Sequence, residues 1–277
     1  MKNTMSTARW DAELDSDCCN AVTNADLTII LRVGLRQINP PGGAAEGTYN
    51  DYGDSTEPAR KIVKWTKGSW TIWKDELVKS AHSYWSGRFW LLNNYPVLEY
   101  DVRGVKYRPN FYCRLKIVPR EVPEIGPCDA HHIIDVVRLH PSVTFFGSHA
   151  KLYDSRDTRL IEKKKDSHGK PIMQRAHVHE FGHLLGLGHV DEGKPACVAE
   201  ANNNAAVCYG VSDADRKNVM GMGMARTANL GLPWRRAAAQ LTGKGNATVA
   251  GDWTSYMVRL YPRTPAECAT NRRITVR

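Results

Sequence analysis

Apolar residues along the chain gather into short β-type runs and a few helical stripes, separated by polar stretches rich in glycine and proline. LTIILRVGLRQI (27–38) is apolar and β-branched and predicts a first core strand. NPPGGAAEGTYNDYGDSTEP (39–58) is dense in glycine, proline and acidic residues and predicts a long surface loop. In SWTIWKDELVKSAHSYWSG (69–87), Trp70, Trp73, Leu77, Ala81, Tyr84 and Trp85 recur at intervals of three and four, the stripe of an amphipathic helix that Gly87 ends. At that spacing the tryptophans read as core packing rather than a ligand box. FYCRLKIVP (111–119), HIIDVVRLH (132–140) and TFFGSHAKLY (144–153) are further strand candidates. QRAHVHEFGHLLGLG (174–188) carries the apolar residues of a buried helix closed by glycine. PWRRAAAQLT (233–242) predicts another helix with proline at its first position, and WTSYMVRLY (253–261) a last strand. Residues 1–24 are polar without a clear period and predict a loosely held arm.

No internal repeat is visible, and the expectation is one domain of 277 residues. It would comprise the arm (1–24), an N-terminal half with the sheet (25–188) and a C-terminal half (189–277). No run approaches the 18 or so apolar residues of a membrane span, so no transmembrane segment is expected. The first residues lack an apolar h-region, which argues against a Sec signal and for the cytoplasm or a specialised export route. A net charge of +9 favours anionic surfaces, but the basic residues are scattered. The densest run, Lys163, Lys164 and Lys165, reads as a solvated basic loop, and no signature of specific nucleic-acid binding accompanies it. Seven cysteines (18, 19, 113, 128, 197, 208 and 268) form no CxxC pair. Cys197 and Cys208 bracket a short polar loop and are the pair expected to bond in an oxidising compartment. In a reducing one they would be thiols.

The chemistry concentrates in HVHEFGHLLGLGH (177–189). His179 and His183 are four apart, so on a helix they share one face within reach of one ion. Glu180 lies about 100° round the helix from His179 and can sit beside the ion without binding it. Gly186 allows positive φ and a sharp turn that can return His189 as a third ligand. Three imidazoles with an open fourth position make a catalytic rather than a structural zinc arrangement. Chance yields HExxH in such a chain with a probability on the order of 0.01–0.02, and the added glycine and histidine multiply that by roughly 0.003. The bland reading, a helix merely rich in histidine, is therefore set aside. His177 points to a different face and reads as a packing or surface residue, as do His131 and His132.

His179-Glu180-x-x-His183-x-x-Gly186-x-x-His189 resembles the motif of the metzincin zinc metalloproteases. That family also places a methionine-containing turn beneath the metal, and NVMGMGM (218–224) supplies Met220 as the match, with Met222 and Met224 as alternatives. The resemblance is specific over roughly 177–224. It implies an α+β fold with a twisted mixed sheet, a long backing helix, the zinc helix and a smaller irregular C-terminal subdomain after the glycine turn. It also implies a zinc endopeptidase with Glu180 as general base and with substrate extended along an edge strand, for which 144–153 is the candidate. Two positions depart from the pattern. Val190, which follows the third histidine, assigns no subfamily. Met222 occupies the place where some members carry a tyrosine, for which Tyr209 is a candidate substitute. Cys18 and Cys19 lack the context of a zinc-blocking pro-segment. Competing readings are a zinc amidase or carboxypeptidase on cell-wall peptides and an inactive zinc-binding interaction module. A protease without a Sec signal also suggests an exported effector or toxin, with a protein or peptide substrate and an immunity or inhibitor protein as partners.

Overall fold

The computed structural model describes residues 2–122, 128–143, 151–200, 202–245 and 253–269. The chain opens with strands β1 (Lys2–Ser6), β2 (Asp11–Asp15), β3 (Ala25–Ile38), β4 (Glu46–Asn50) and β5 (Ala59–Val63), followed by helix α1 (Lys67–Trp85). Strands β6 (Phe89–Leu92), β7 (Tyr100–Val102), β8 (Val105–Tyr107), β9 (Phe111–Glu121), β10 (His132–Val137) and β11 (Leu152–Asp154) come next. A hairpin of β12 (Leu160–Lys165) and β13 (Pro171–Arg175) then runs straight into α2 (Ala176–Leu185). Short helices α3 (Pro195–Val198) and α4 (Asp213–Lys217), the longer α5 (Leu232–Thr242), strand β14 (Thr254–Tyr256) and α6 (Pro265–Ala269) complete the order. The class is mixed α/β, with a mixed sheet and few helices. Among the described residues no helix is long and apolar enough to cross a membrane.

The chain divides into two compact units, and β3, β9 and α1 each begin in one and continue into the other. The first comprises Met1–Leu31, Tyr84–Lys116 and Thr227–Arg277. Here β1 pairs antiparallel with β2, β2 with the start of β3, and β9 with β6, which pairs in turn with β14. The sequence DAELD alternates, so Ala12 and Leu14 of β2 are buried while their neighbours face out. Aromatic rings fill the core: Trp253 stacks on Phe111 at 5.0 Å between centroids, and Phe89 meets Trp234 at 5.6 Å. Both indole N–H groups find carbonyls, of Arg114 for Trp234 and Lys244 for Trp253.

The second unit, Arg32–Ser83 and Ile117–Arg226, contains every residue of the histidine segment. The end of β3 pairs parallel with β10, and β10 parallel with β11. Arg36 and Asp135 face each other in register and form an ion pair at 2.7 Å. Ile134, Val136, Val137, Leu152 and Tyr153 are all fully buried, as parallel strands covered on both faces require. Thr66 and Ser69 exchange backbone-to-hydroxyl hydrogen bonds at 3.1 Å and so cap the start of α1. Trp65, Trp70 and Trp73 cluster with centroids 5.2–5.8 Å apart. Each indole N–H donates, to Val136 O, to the Glu121 carboxylate and to Asp154 O respectively. These rings are core, as their spacing predicts.

Several expectations change. The arm is no loose segment, because β1 and β2 add two strands to the sheet. The surface loop at 39–58 contains β4, which pairs with β5. The basic run lies in β12, whose register with β13 slips by a bulge between Glu162 and Lys164. Of the candidate substrate strand, residues 144–150 lie outside the described residues, and Leu152–Asp154 is a fully buried strand. The last strand is shorter than expected, Thr254–Tyr256. Leu77, 1 % exposed on the α1 stripe, sets a stability test against Ile72, 73 % exposed on the same helix. Leu77→Ala should cost about 2–5 kcal/mol in urea unfolding, and Ile72→Ala about 0.5 kcal/mol or less.

Candidate metal centre

Helix α2 is buried along almost its whole length, and His183 is the one residue of it that is not. His179 and His183 lie one turn apart, with their Nε2 atoms 3.1 Å from each other. The helix ends at Gly186, whose φ of 95° is left-handed, and its N–H turns back to His183 O. Leu187 N donates to Gly182 O at 2.9 Å and completes the turn. This brings His189 Nε2 to 3.2 Å from His183 Nε2. Among the described residues these three histidines form the one group able to hold an ion, with ligand atoms all within 4.8 Å of one another.

Hydrogen bonding settles which ring nitrogens face the centre. His179 Nδ1 meets Val219 O at 2.7 Å, His183 Nδ1 meets Leu187 O at 2.9 Å, and His189 Nδ1 meets Asn203 O at 2.6 Å. A carbonyl oxygen only accepts, so each Nδ1 carries a hydrogen and Nε2 is the nitrogen left to face the centre. Burial, and after it the neighbouring His183, pushes the His179 imidazole down to about 3, and the same two causes lower His189. Nitrogens about 2.0–2.1 Å from a tetrahedral ion stand about 3.3 Å apart. The observed 3.1 and 3.2 Å match two of the edges such a set would have, and all three ligand atoms lie within 4.8 Å of one another.

A braced loop holds the third histidine. His189 N donates to Glu192 Oε2 at 3.0 Å, and Glu192 Oε1 accepts from Asn203 Nδ2 at 2.8 Å. Asn203 thereby fixes His189 through both its carbonyl and its side chain. It sits within the loop closed by the Cys197–Cys208 disulfide, the pairing expected from the sequence. Asp191, 1 % exposed, ties the same loop down: its N–H donates to Cys208 O and its carboxylate accepts from Val211 N.

The methionine segment packs against the other side of α2. Val219 O takes the His179 hydrogen bond, and Met220 O accepts from Val190 N at 3.0 Å. Met220 is 2 % exposed, whereas Met222 and Met224 are half-buried, so Met220 is the most enclosed of the three methionines. Its glycine neighbours are required by closeness. A Cβ on Gly221 would lie 2.4 Å from Asp215 O, and one on Gly223 2.2 Å from Lys217 O. Gln174 of β13, which sequence reasoning missed, aims its side-chain amide at the carbonyls of Val219, Gly221 and Gly223, at 3.0–3.3 Å. A polar residue at an inward position of an alternating strand was its one sequence signal.

Glu180 is 7 % exposed, and burial raises its carboxyl to about 7, with Lys163 pulling the other way. Three phenols lie within its electrostatic reach. Burial first and Glu180 second push Tyr52 up to about 12 and also raise Tyr209. The same two causes hold Tyr153 well above the ordinary phenol range. Tyr209 lies against the ligand rings, 3.8 Å from His189 and 5.8 Å from His179 between centroids. Tyr52 has a left-handed backbone, φ 60°, which a bulky side chain adopts only at a cost of about 1–3 kcal/mol. Nothing in the sequence of its loop marks it.

No family model, curated protein or solved structure matches the chain.

The remaining histidines stand apart. His177 is fully buried, bonding Ser80 Oγ of α1 at 2.6 Å and Asp157 O at 2.8 Å, a packing role. His131 Nδ1 accepts from Arg32 N at 2.9 Å, beside the start of β10 where His132 lies. The dependence of His189 on a cross-linked loop yields a test. Replacing both Cys197 and Cys208 by serine should weaken metal binding about 10–100-fold, by analogy with loss of other outer partners of a ligand. Competition with a colorimetric chelator reads the affinity, and far-ultraviolet circular dichroism should be unchanged.

Proposed function

We propose that this protein is a zinc-dependent endopeptidase of metzincin type. The observation that carries the reading is the convergence of the Nε2 atoms of three histidines, those of His179 and His189 standing 3.1 and 3.2 Å from that of His183, with Glu180 next in sequence to the first of them. An all-imidazole set suits a zinc ion better than calcium or magnesium, which prefer oxygen. The left-handed Gly186 and the buried Met220 turn are further support, since the motif resemblance calls for both.

His179, His183 and His189 would hold the ion. Once bound, zinc supplies Lewis acidity, activating a water and polarising the scissile carbonyl. Everything else falls to the chain. Glu180 takes the proton of the attacking water and delivers it to the leaving amine. Its buried setting, which raises the carboxyl toward neutrality, suits a group that must both accept and release a proton. A dication nearby favours its anionic form, so the working base titrates below about 7. Val219, Leu187 and Asn203 carbonyls keep the three rings oriented through the turnover. The Tyr209 ring lies 3.8 Å from that of His189, which supports its phenol as the group that would steady the developing oxyanion where Met222 offers none.

The experiment is proteolysis of an unfolded protein substrate with metal analysis alongside. Glu180→Ala should keep one zinc per chain and lose about 100–10,000-fold in kcat; cleavage at the wild-type rate would reject the mechanism. His183→Ala should lose the metal, and full retention would reject the ligand set. Tyr209→Phe should retain zinc and KM while kcat falls about 10–100-fold.

A further inference from the structure

Away from the residues assigned to hydrolysis, the second unit contains a cavity of about 640 Å³. Its walls come from the first turns of α1 and from the segments that follow β10 and β11. Those segments leave the carboxyl ends of adjacent parallel strands, the place where open α/β sheets take their ligands. None of the metal-binding histidines, and not Glu180, lines it.

Three arginines border the cavity: Arg138, Arg156 and Arg159. Arg138 Nη1 donates to Lys64 O at 2.9 Å and Arg156 Nη2 to Pro141 O at 3.2 Å, so both guanidinium groups are oriented by backbone carbonyls. The carboxylate in the lining, Glu76, is already paired with Arg175 at 3.1 Å. The lining therefore carries an excess of positive charge, and it contains no lysine. Guanidinium forks match carboxylates in pairs of hydrogen bonds. Alongside the hydroxyls of Ser69, Ser155 and Thr158, the lining carries the apolar side chains of Leu139, Pro141 and Ile72, whose 73 % exposure is the largest among the exposed apolar side chains described.

We infer that this cavity is a binding site for an acidic peptide segment bearing apolar side chains. Its carboxylates would meet Arg138, Arg156 and Arg159, and an apolar side chain would cover Ile72. Charge complementarity selects the acidic character. The apolar rim selects a peptide over a small inorganic anion, which would leave Ile72 in water. Arg175, the residue before α2, binds Glu76 and the carbonyl of Thr158, both of which line the cavity. An occupant would thus touch the anchors of the histidine helix without touching the ion.

The test is fluorescence anisotropy of a short labelled peptide alternating glutamate and leucine, titrated with the full chain carrying Glu180→Gln so that nothing is cleaved. Saturable binding that weakens with salt is expected, unaffected by removing the metal with a chelator. Arg138→Ala with Arg159→Ala should raise Kd about tenfold or more. Ile72→Glu, at an exposed site that does not endanger folding, should weaken binding comparably, while a lysine–leucine peptide should not bind. Affinity unchanged in both variants would overturn the proposal. Loss of binding on metal removal would overturn it by placing the peptide at the histidines. Full displacement by inorganic phosphate at equal concentration would overturn it in favour of a small-anion site.

Discussion

Three histidine rings must each turn one nitrogen toward a common point for one metal ion to be held between them. The second unit is organised around that constraint. Each ring must give its single N–H to something outside the cluster, and each finds a backbone carbonyl from a different stretch of chain: Val219, Leu187 and Asn203. The methionine turn, the helix-terminating turn and the cross-linked loop are thus three arms of one frame. Remove a carbonyl and its ring is free to flip to the other nitrogen, turning a ligand into a donor.

The layers outside the frame repeat this logic. Gln174 binds three carbonyls of the methionine turn and thereby fixes the shape of the segment that orients His179. Because β13 leads without a break into α2, the residue that clamps the turn and the residue that needs it are five apart on one rigid piece. His177 fastens the same helix to α1. Glu180 is buried on the same helix, and that burial raises its carboxyl to about 7.

The histidine spacing was legible because a helix has one period and an ion has one size. His179, His183, Gly186 and His189 fall into place from those two facts, and the cysteine pair from the shortness of its loop. Core strands and α1 were equally readable, since Leu27, Ile29, Leu31 and the tryptophan stripe bury their apolar sides in the periods expected. What escaped was whatever depended on partners far away in the chain. Ala12 and Leu14 supply only two apolar residues, too few to betray a strand until β3 lies beside them. The β12–β13 hairpin is too polar to stand out, and its charged residues hide an alternation that a bulge interrupts. Gln174, Glu192, Asn203 and Asp191 are ordinary polar residues whose roles arise from where the backbone delivers their partners. Tyr52 depends on a left-handed bend that its neighbours do not announce.

Unequal burial of the ligands has a kinetic side. His179 and His189 are closed over by the turn and the loop, at 4 and 7 % exposure, while His183 is only half-buried. His183 is therefore the ring that solvent reaches most readily, and an ion entering the cluster would meet it before the two enclosed rings. Release would run in reverse, so the hold of this single outer ring would set the rate of metal exchange.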